Sequence, residues 1–132
     1  MPATLTVRDE SLGGVEQHRF TLEFPTESIS VRELIRERVY QEVQDYNRRK
    51  DGAVFRGLVQ PSDAEVALNG SKVKPGREID WKAQFAKACE AYENNRILVL
   101  AGDHQTASLD ETITITRGSE VTFLRLVMLV GG

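Results

Sequence analysis

The 132-residue chain has one cysteine, Cys89, and two histidines, His18 and His104. A single thiol excludes an intrachain disulfide, and a reducing cytoplasm is the simpler setting. The histidines stand far apart and lack metal-ligand spacing. There is no paired-cysteine metal motif, no Walker-type glycine loop and no dinucleotide fingerprint, so neither a metal nor a cofactor is expected. No histidine lies close in sequence to Cys89 to act as its base, and Cys89 shares a helical face with Phe85 and Tyr92. It reads as a packed residue, and the chain is not expected to be an enzyme. No run approaches the ~18 apolar residues needed to cross a bilayer. The N-terminal stretch Met1 to Val7 lacks a basic region followed by a long apolar one, so no signal peptide is expected. The net charge of −3 gives no reason to expect nucleic acid or an anionic membrane as a partner. Arg32, Arg36 and Arg38 are interleaved with Glu33, Glu37, Glu42 and Asp45, which reads as a solvated helix face.

What remains is an ordinary globular composition, 40% hydrophobic and 28% charged, enough for one domain with one core. Thr4 to Val7 alternates like a strand, Ser11 to Gly14 is a turn, and His18 to Phe24 alternates again with Phe20, Leu22 and Phe24 on one face. Together they predict a hairpin ended by Pro25. Ser30 and Glu33 have capping-box spacing, in which each side chain satisfies the other residue's free amide. Val31, Leu34, Ile35, Val39, Val43 and Tyr46 then recur at three and four, the stripe of a helix of about five turns that ends between Asn47 and Asp51. Residues 53–79 are the least regular, with short strands possible at Val54 to Val59 and Ala64 to Leu68. Asp80 can cap a second helix carrying Trp81, Phe85, Ala88, Cys89 and Tyr92, which should stop near Asn94-Asn95. Ile97 to Ala101 suits a central strand, Thr112 to Thr116 alternates, Arg117 to Glu120 is a turn, and a last strand runs from Val121 to about Met128.

A helix that follows a hairpin buries its apolar stripe most simply on the hairpin's apolar face, and further strands extend that sheet. The expected fold is therefore α+β, a mixed sheet wrapped on one long helix, with the first and last strands paired at its centre. Arg96-Ile97-Leu98-Val99-Leu100-Ala101-Gly102 resembles the Q-R-L-I-F-A-G segment of ubiquitin. The stretch from Leu109-Asp110 through Val121 to Leu129-Val130-Gly131-Gly132 resembles ubiquitin's last strand and tail in order and approximate length. The resemblance covers about residues 3–48 and 96–132. It implies a single ubiquitin-like β-grasp domain over 1–132, with an insertion at about 49–95 that contains the second helix and a C-terminal tail at about 128–132. The whole chain also resembles bacterial ubiquitin-like proteins encoded beside activating-enzyme-like, conjugating-enzyme-like and peptidase-like partners.

The resemblance implies a protein modifier. An activating enzyme would convert the Gly132 carboxylate to an acyl-adenylate, a conjugating enzyme would pass it to a target protein, and a deconjugating peptidase would remove it. Gly131 and Gly132, without β-carbons, suit a narrow channel. The alternatives are a sulfur carrier with a thiocarboxylate at Gly132 and a non-conjugated interaction subunit. Val127, Met128, Leu129 and Val130 form an apolar tail where ubiquitin carries arginines; they are expected either to meet an apolar groove or an added strand on a partner, or to continue the last strand as a buried extension. Val99 aligns with the centre of ubiquitin's partner-binding patch and is expected to face outward, with Val127 or Leu126 beside it; a one-residue slip in register would exchange the faces, and the alternative is that the insertion covers both. Self-association through the insertion is a further possibility.

Overall fold

The computed structural model describes residues 2–11, 16–49, 58 and 80–126. The two short strands expected between Val54 and Leu68 lie outside these residues, apart from Leu58, as does the turn at Leu12 to Gly14. The elements are β1 (Ala3–Ser11), β2 (Glu16–Phe24), β3 (Ser28–Ser30), α1 (Val31–Arg49), α2 (Trp81–Glu93), β4 (Ile97–Ala101), β5 (His104–Gln105), β6 (Thr112–Thr114) and β7 (Glu120–Arg125). The described residues fall into two compact units, one drawn from residues 1–34 and 89–132, the other from 35–88.

In the first unit, β2-β1-β7-β4-β5 form a mixed five-stranded sheet, and β3 and β6 form a second sheet of two strands. β1 and β2 are an antiparallel hairpin in which Leu5 faces Leu22 and Val7 faces Phe20, with a register shift between Asp9 and Glu10. β1 and β7 run parallel, with Val7 opposite Val121. β4 lies antiparallel to β7. The first and last strands are thus neighbours at the middle of the sheet, as the sequence predicts. Alternation sorts the residues by face. Leu5, Val7, Leu22, Phe24, Ile97, Val99, Val121 and Phe123 are buried, and Asp9 is buried with them. The β4–β5 turn places Gly102 at φ 62°, and the turn before β7 places Gly118 at φ 81°, a region that L side chains rarely enter.

The start of α1 is a complete capping box: the Ser30 N–H donates to Glu33 Oε1 at 3.1 Å and the Glu33 N–H donates to Ser30 Oγ at 3.0 Å. The next free amides are taken by the loop before β6, with Val31 N–H donating to the Glu111 carbonyl and Arg32 N–H to that of Leu109, both at 3.0 Å. All six positions of the expected α1 stripe are buried. One expectation on this helix is corrected. Arg38 is not solvated; its side chain is 2% exposed. It lies inside the span of the stripe, between Leu34 and Val43. Its Nε donates to Glu42 Oε2 at 3.0 Å, while Glu42 Oε1 accepts the Leu58 N–H at 2.9 Å. A charge can be buried when it is paired and hydrogen-bonded in this way.

Asp80 caps α2 by accepting the Lys82 N–H at 3.0 Å. The helix ends where expected. Asn95 takes φ 60°, the Arg96 N–H donates to the Ala91 carbonyl at 2.8 Å and the Asn95 N–H to that of Tyr92 at 3.1 Å. This is a Schellman motif with asparagine in the left-handed position. Within the second unit, Trp81 meets Tyr40 edge-on at 5.3 Å and carries the Arg36 guanidinium over its ring at 5.2 Å.

Candidate site at the end of the central strand

β7 leads to the residues on which the functional expectation rests. It is held on both sides: Arg125 stands opposite Ser11 of β1 and opposite Ile97 of β4. One residue beyond the strand, the Leu126 N–H donates to the Arg96 carbonyl at 3.0 Å. Arg96 is itself the residue that closes α2, so one helix terminus and two strands converge where the chain leaves the sheet. Val127, Met128, Leu129, Val130, Gly131 and Gly132 lie outside the described residues. β7 runs to Arg125, and the part of the predicted last strand from Val127 to about Met128 lies outside the described residues.

Val99 is not where the sequence places it. It is 0% exposed, and its cross-strand partner is Phe123, also 0% exposed, rather than Leu126 or Val127. The reason is that both faces of Ile97 to Ala101 are apolar, so alternation alone does not choose between them. The partner strand chooses: Val121 and Phe123 are its buried positions, and Ala101 and Val99 must share their face. The outward face instead carries Leu98 opposite Leu124 and Leu100 opposite Thr122, all half-buried. Leu98, Leu100 and Leu124 make the apolar strip that the sequence assigns to Val99.

The same outward face continues into a charged network on β1 and β2. Arg8 reaches Glu10 at 2.5 Å, Glu16 at 2.8 Å and Glu120 at 3.5 Å, and Arg19 reaches Glu16 at 2.9 Å. The hydrogen bonds from Arg19 and Arg8 hold the Glu16 carboxyl below its ordinary range, and the bond to Glu16 raises Arg8 further into its charged form. A groove of about 510 Å³ opens beside Arg8, Glu120, Gly102 and Asp103. It lies at the start of β7, the end away from the tail. A second groove, of about 300 Å³, is lined by Ile97, Leu98, Asn95 and the loop from Gln105 to Asp110. That loop is anchored by Tyr92, whose hydroxyl lies 2.8 Å from Thr106 Oγ1, and by Thr106 Oγ1, which donates to the Val99 carbonyl at 2.9 Å.

The other reactive side chains named from the sequence each have a setting of their own. Cys89 is half-buried, and burial pushes its thiol up, opposed by the nearby Arg32 charge and aided by Glu93. A thiol raised in this way is a weak nucleophile at neutral pH. His18 stacks on Phe20 with ring centroids 5.1 Å apart, while His104 lies 2.6 Å from Glu111. Among the described residues, no group of three or more His, Cys, Asp or Glu side chains could hold a metal ion, and no helix is long and apolar enough to cross a membrane. Comparison of the chain with protein-family models, with curated proteins and with solved structures returned no match.

Proposed function

We propose that this chain is a ubiquitin-like protein of the β-grasp type, and that the carboxylate of Gly132, as it stands in the 132-residue chain, is its reacting group. The observation that carries the reading is the sheet order β2-β1-β7-β4-β5 with β1 and β7 parallel at its centre, followed in sequence by a tail that runs to Gly131-Gly132. A strand clamped between two neighbours is a rigid base from which a short tail can be presented.

The chemistry follows from the weakness of a carboxylate as an electrophile. In the proposed sequence an oxygen of the Gly132 carboxylate attacks the α-phosphorus of ATP, pyrophosphate leaves, and an acyl-adenylate forms. A thiolate of the activating enzyme then displaces AMP to give a thioester. A conjugating enzyme takes up the acyl group by thiol exchange, and an amine of the target displaces that thiol to leave an isopeptide bond. A peptidase reverses the step by hydrolysis. All of the catalysis belongs to the partners, and the chain contributes the acyl group and the surface that they grip. The outward strip of Leu98, Leu100 and Leu124, continuous with the base of the tail, suits that grip better than the buried Val99.

The test is the intact mass of the full chain after incubation with MgATP and its activating enzyme. An adenylate or a thiol-sensitive enzyme adduct, both lost in Gly132→Glu while the circular dichroism spectrum is unchanged, is the expected result. A thiocarboxylate instead of an enzyme adduct would replace the modifier reading with that of a sulfur carrier. Adducts that persist in Gly132→Glu would overturn the proposed reacting group.

A further inference from the structure

β2 is the outer strand of the five-stranded sheet, and among the described residues its only strand neighbour is β1. The direction of its backbone groups can be read from the ladder. The Thr6 N–H donates to the Ser119 carbonyl at 3.3 Å, toward β7. Neighbouring residues of a strand address opposite sides, so Leu5, Val7 and Asp9 turn their backbone groups toward β2, where they face Leu22, Phe20 and His18. Arg19, Thr21 and Glu23 therefore direct their N–H and carbonyl groups to the open edge.

A strand of nine residues with one side unpaired among the described residues is a template for another strand, and charged side chains normally guard such an edge. The signs on β2 guard it selectively. When the strand is laid antiparallel on a second copy of itself, a two-fold axis through Arg19 sets two arginines face to face. An axis through Glu23 sets two glutamates face to face, and axes through Phe20 or Leu22 pair no opposite charges. An axis through Thr21 places Arg19 of each copy opposite Glu23 of the other, twice by symmetry. It also puts Phe20 opposite Leu22 and His18 opposite Phe24, so residues of like face meet. Arg19 already meets Glu16 at 2.9 Å but is 51% exposed, so its guanidinium has further donors to offer across the edge. Thr21 and Glu23 are exposed, and Glu23 has no ion-pair partner among the described residues.

We propose that β2 is a self-association edge, at which two copies of this chain join antiparallel about Thr21 into one continuous sheet held by reciprocal Arg19–Glu23 pairs. The contact is isologous, because the same patch serves both copies and each β2 edge is used up by the other, so further copies cannot add through β2.

Sedimentation of the full chain across a wide concentration range tests it. A monomer–dimer equilibrium is expected. Arg19→Glu and Glu23→Arg, each alone, place like charges opposite one another twice and should weaken dimerisation on the order of tenfold or more. Mixing these two variants restores opposite charges at both contacts, so the mixture should dimerise as well as the unmodified chain. Thr21→Pro removes an outward N–H without touching the β1 ladder and should abolish the dimer while leaving the circular dichroism spectrum unchanged. A chain that is monomeric at every concentration overturns the proposal. So does a dimer indifferent to the single charge reversals, or a mixture that fails to recover.

Discussion

Replacing Val99 with aspartate separates the two possible facings of β4. Val99 is 0% exposed against the fully buried Phe123, while Leu98, one residue earlier, is half-buried on the opposite face. Val99→Asp first loses the burial of a valine side chain, about 1.5–3 kcal/mol. The new carboxyl then has no route to water. Keeping it neutral at pH 7 against an ordinary carboxyl pKa about three units lower costs about 4 kcal/mol, at roughly 1.4 kcal/mol per unit. The total, about 6 kcal/mol, is comparable with the whole stability of a typical domain, about 5–15 kcal/mol. Leu98→Asp loses only about 1–2 kcal/mol of burial, because its carboxylate reaches solvent. Urea denaturation followed by circular dichroism at pH 7 and pH 5 reads both effects. Val99→Asp should lose most or all of its cooperative transition at pH 7. Its folded-state carboxyl titrates above the unfolded one, so the native state binds the extra proton. Relative to the unmodified chain, its stability is therefore regained as pH falls and lost as pH rises. Leu98→Asp should fold at both pH values with no such dependence. A Val99→Asp midpoint close to that of the parent, or a Leu98→Asp variant that is the more damaged of the two, would refute the buried facing of Val99 and restore the outward one.

Two further outcomes are expected from the described contacts. Ser30→Ala removes the hydroxyl that accepts the Glu33 N–H and should lower stability by about 1 kcal/mol, measured as a shift in urea midpoint with an unchanged slope. The Glu111 carboxyl is held below its ordinary value of 4.5, first by the Ala107 N–H and then by His104. A depressed carboxyl contributes stability above its unfolded pKa and loses it as pH falls from about 4.5 toward the lower folded value. Glu111→Gln should therefore flatten the acid side of the stability profile below about pH 4.5, and an unchanged acid limb would show that the contact contributes nothing.

Much of the local structure is legible in residue order because local chemistry decides it. The capping box needs only Ser30 and Glu33 three residues apart, and the α1 stripe needs only a recurrence at three and four. The end of α2 needs an asparagine able to take a left-handed angle. These are interactions between near neighbours, which any fold of this chain would inherit. The pairing of first and last strands at the sheet centre was also reachable, since a hairpin, a helix and later strands leave few unknotted ways to extend one sheet.

What tertiary structure decided are the questions to which near neighbours give equal answers. Ile97 to Ala101 is apolar on both faces, so the burial of Val99 and the outward turn of Leu98 and Leu100 depend on the register with β7, more than twenty positions away. Arg38 reads as one more charge on a solvated helix, and its burial depends on Glu42 also accepting the amide of Leu58 from a different segment. Ser28–Ser30 is too short to announce itself as a strand and becomes one only by meeting Thr112–Thr114. By itself the sequence determined the two described helices and the longer strands, because propensity, caps and periodicity act within a turn or two. The facing of strands and the pairing of charges were left to contacts between distant segments, because only those contacts break the tie between two equally apolar, or two equally polar, sides.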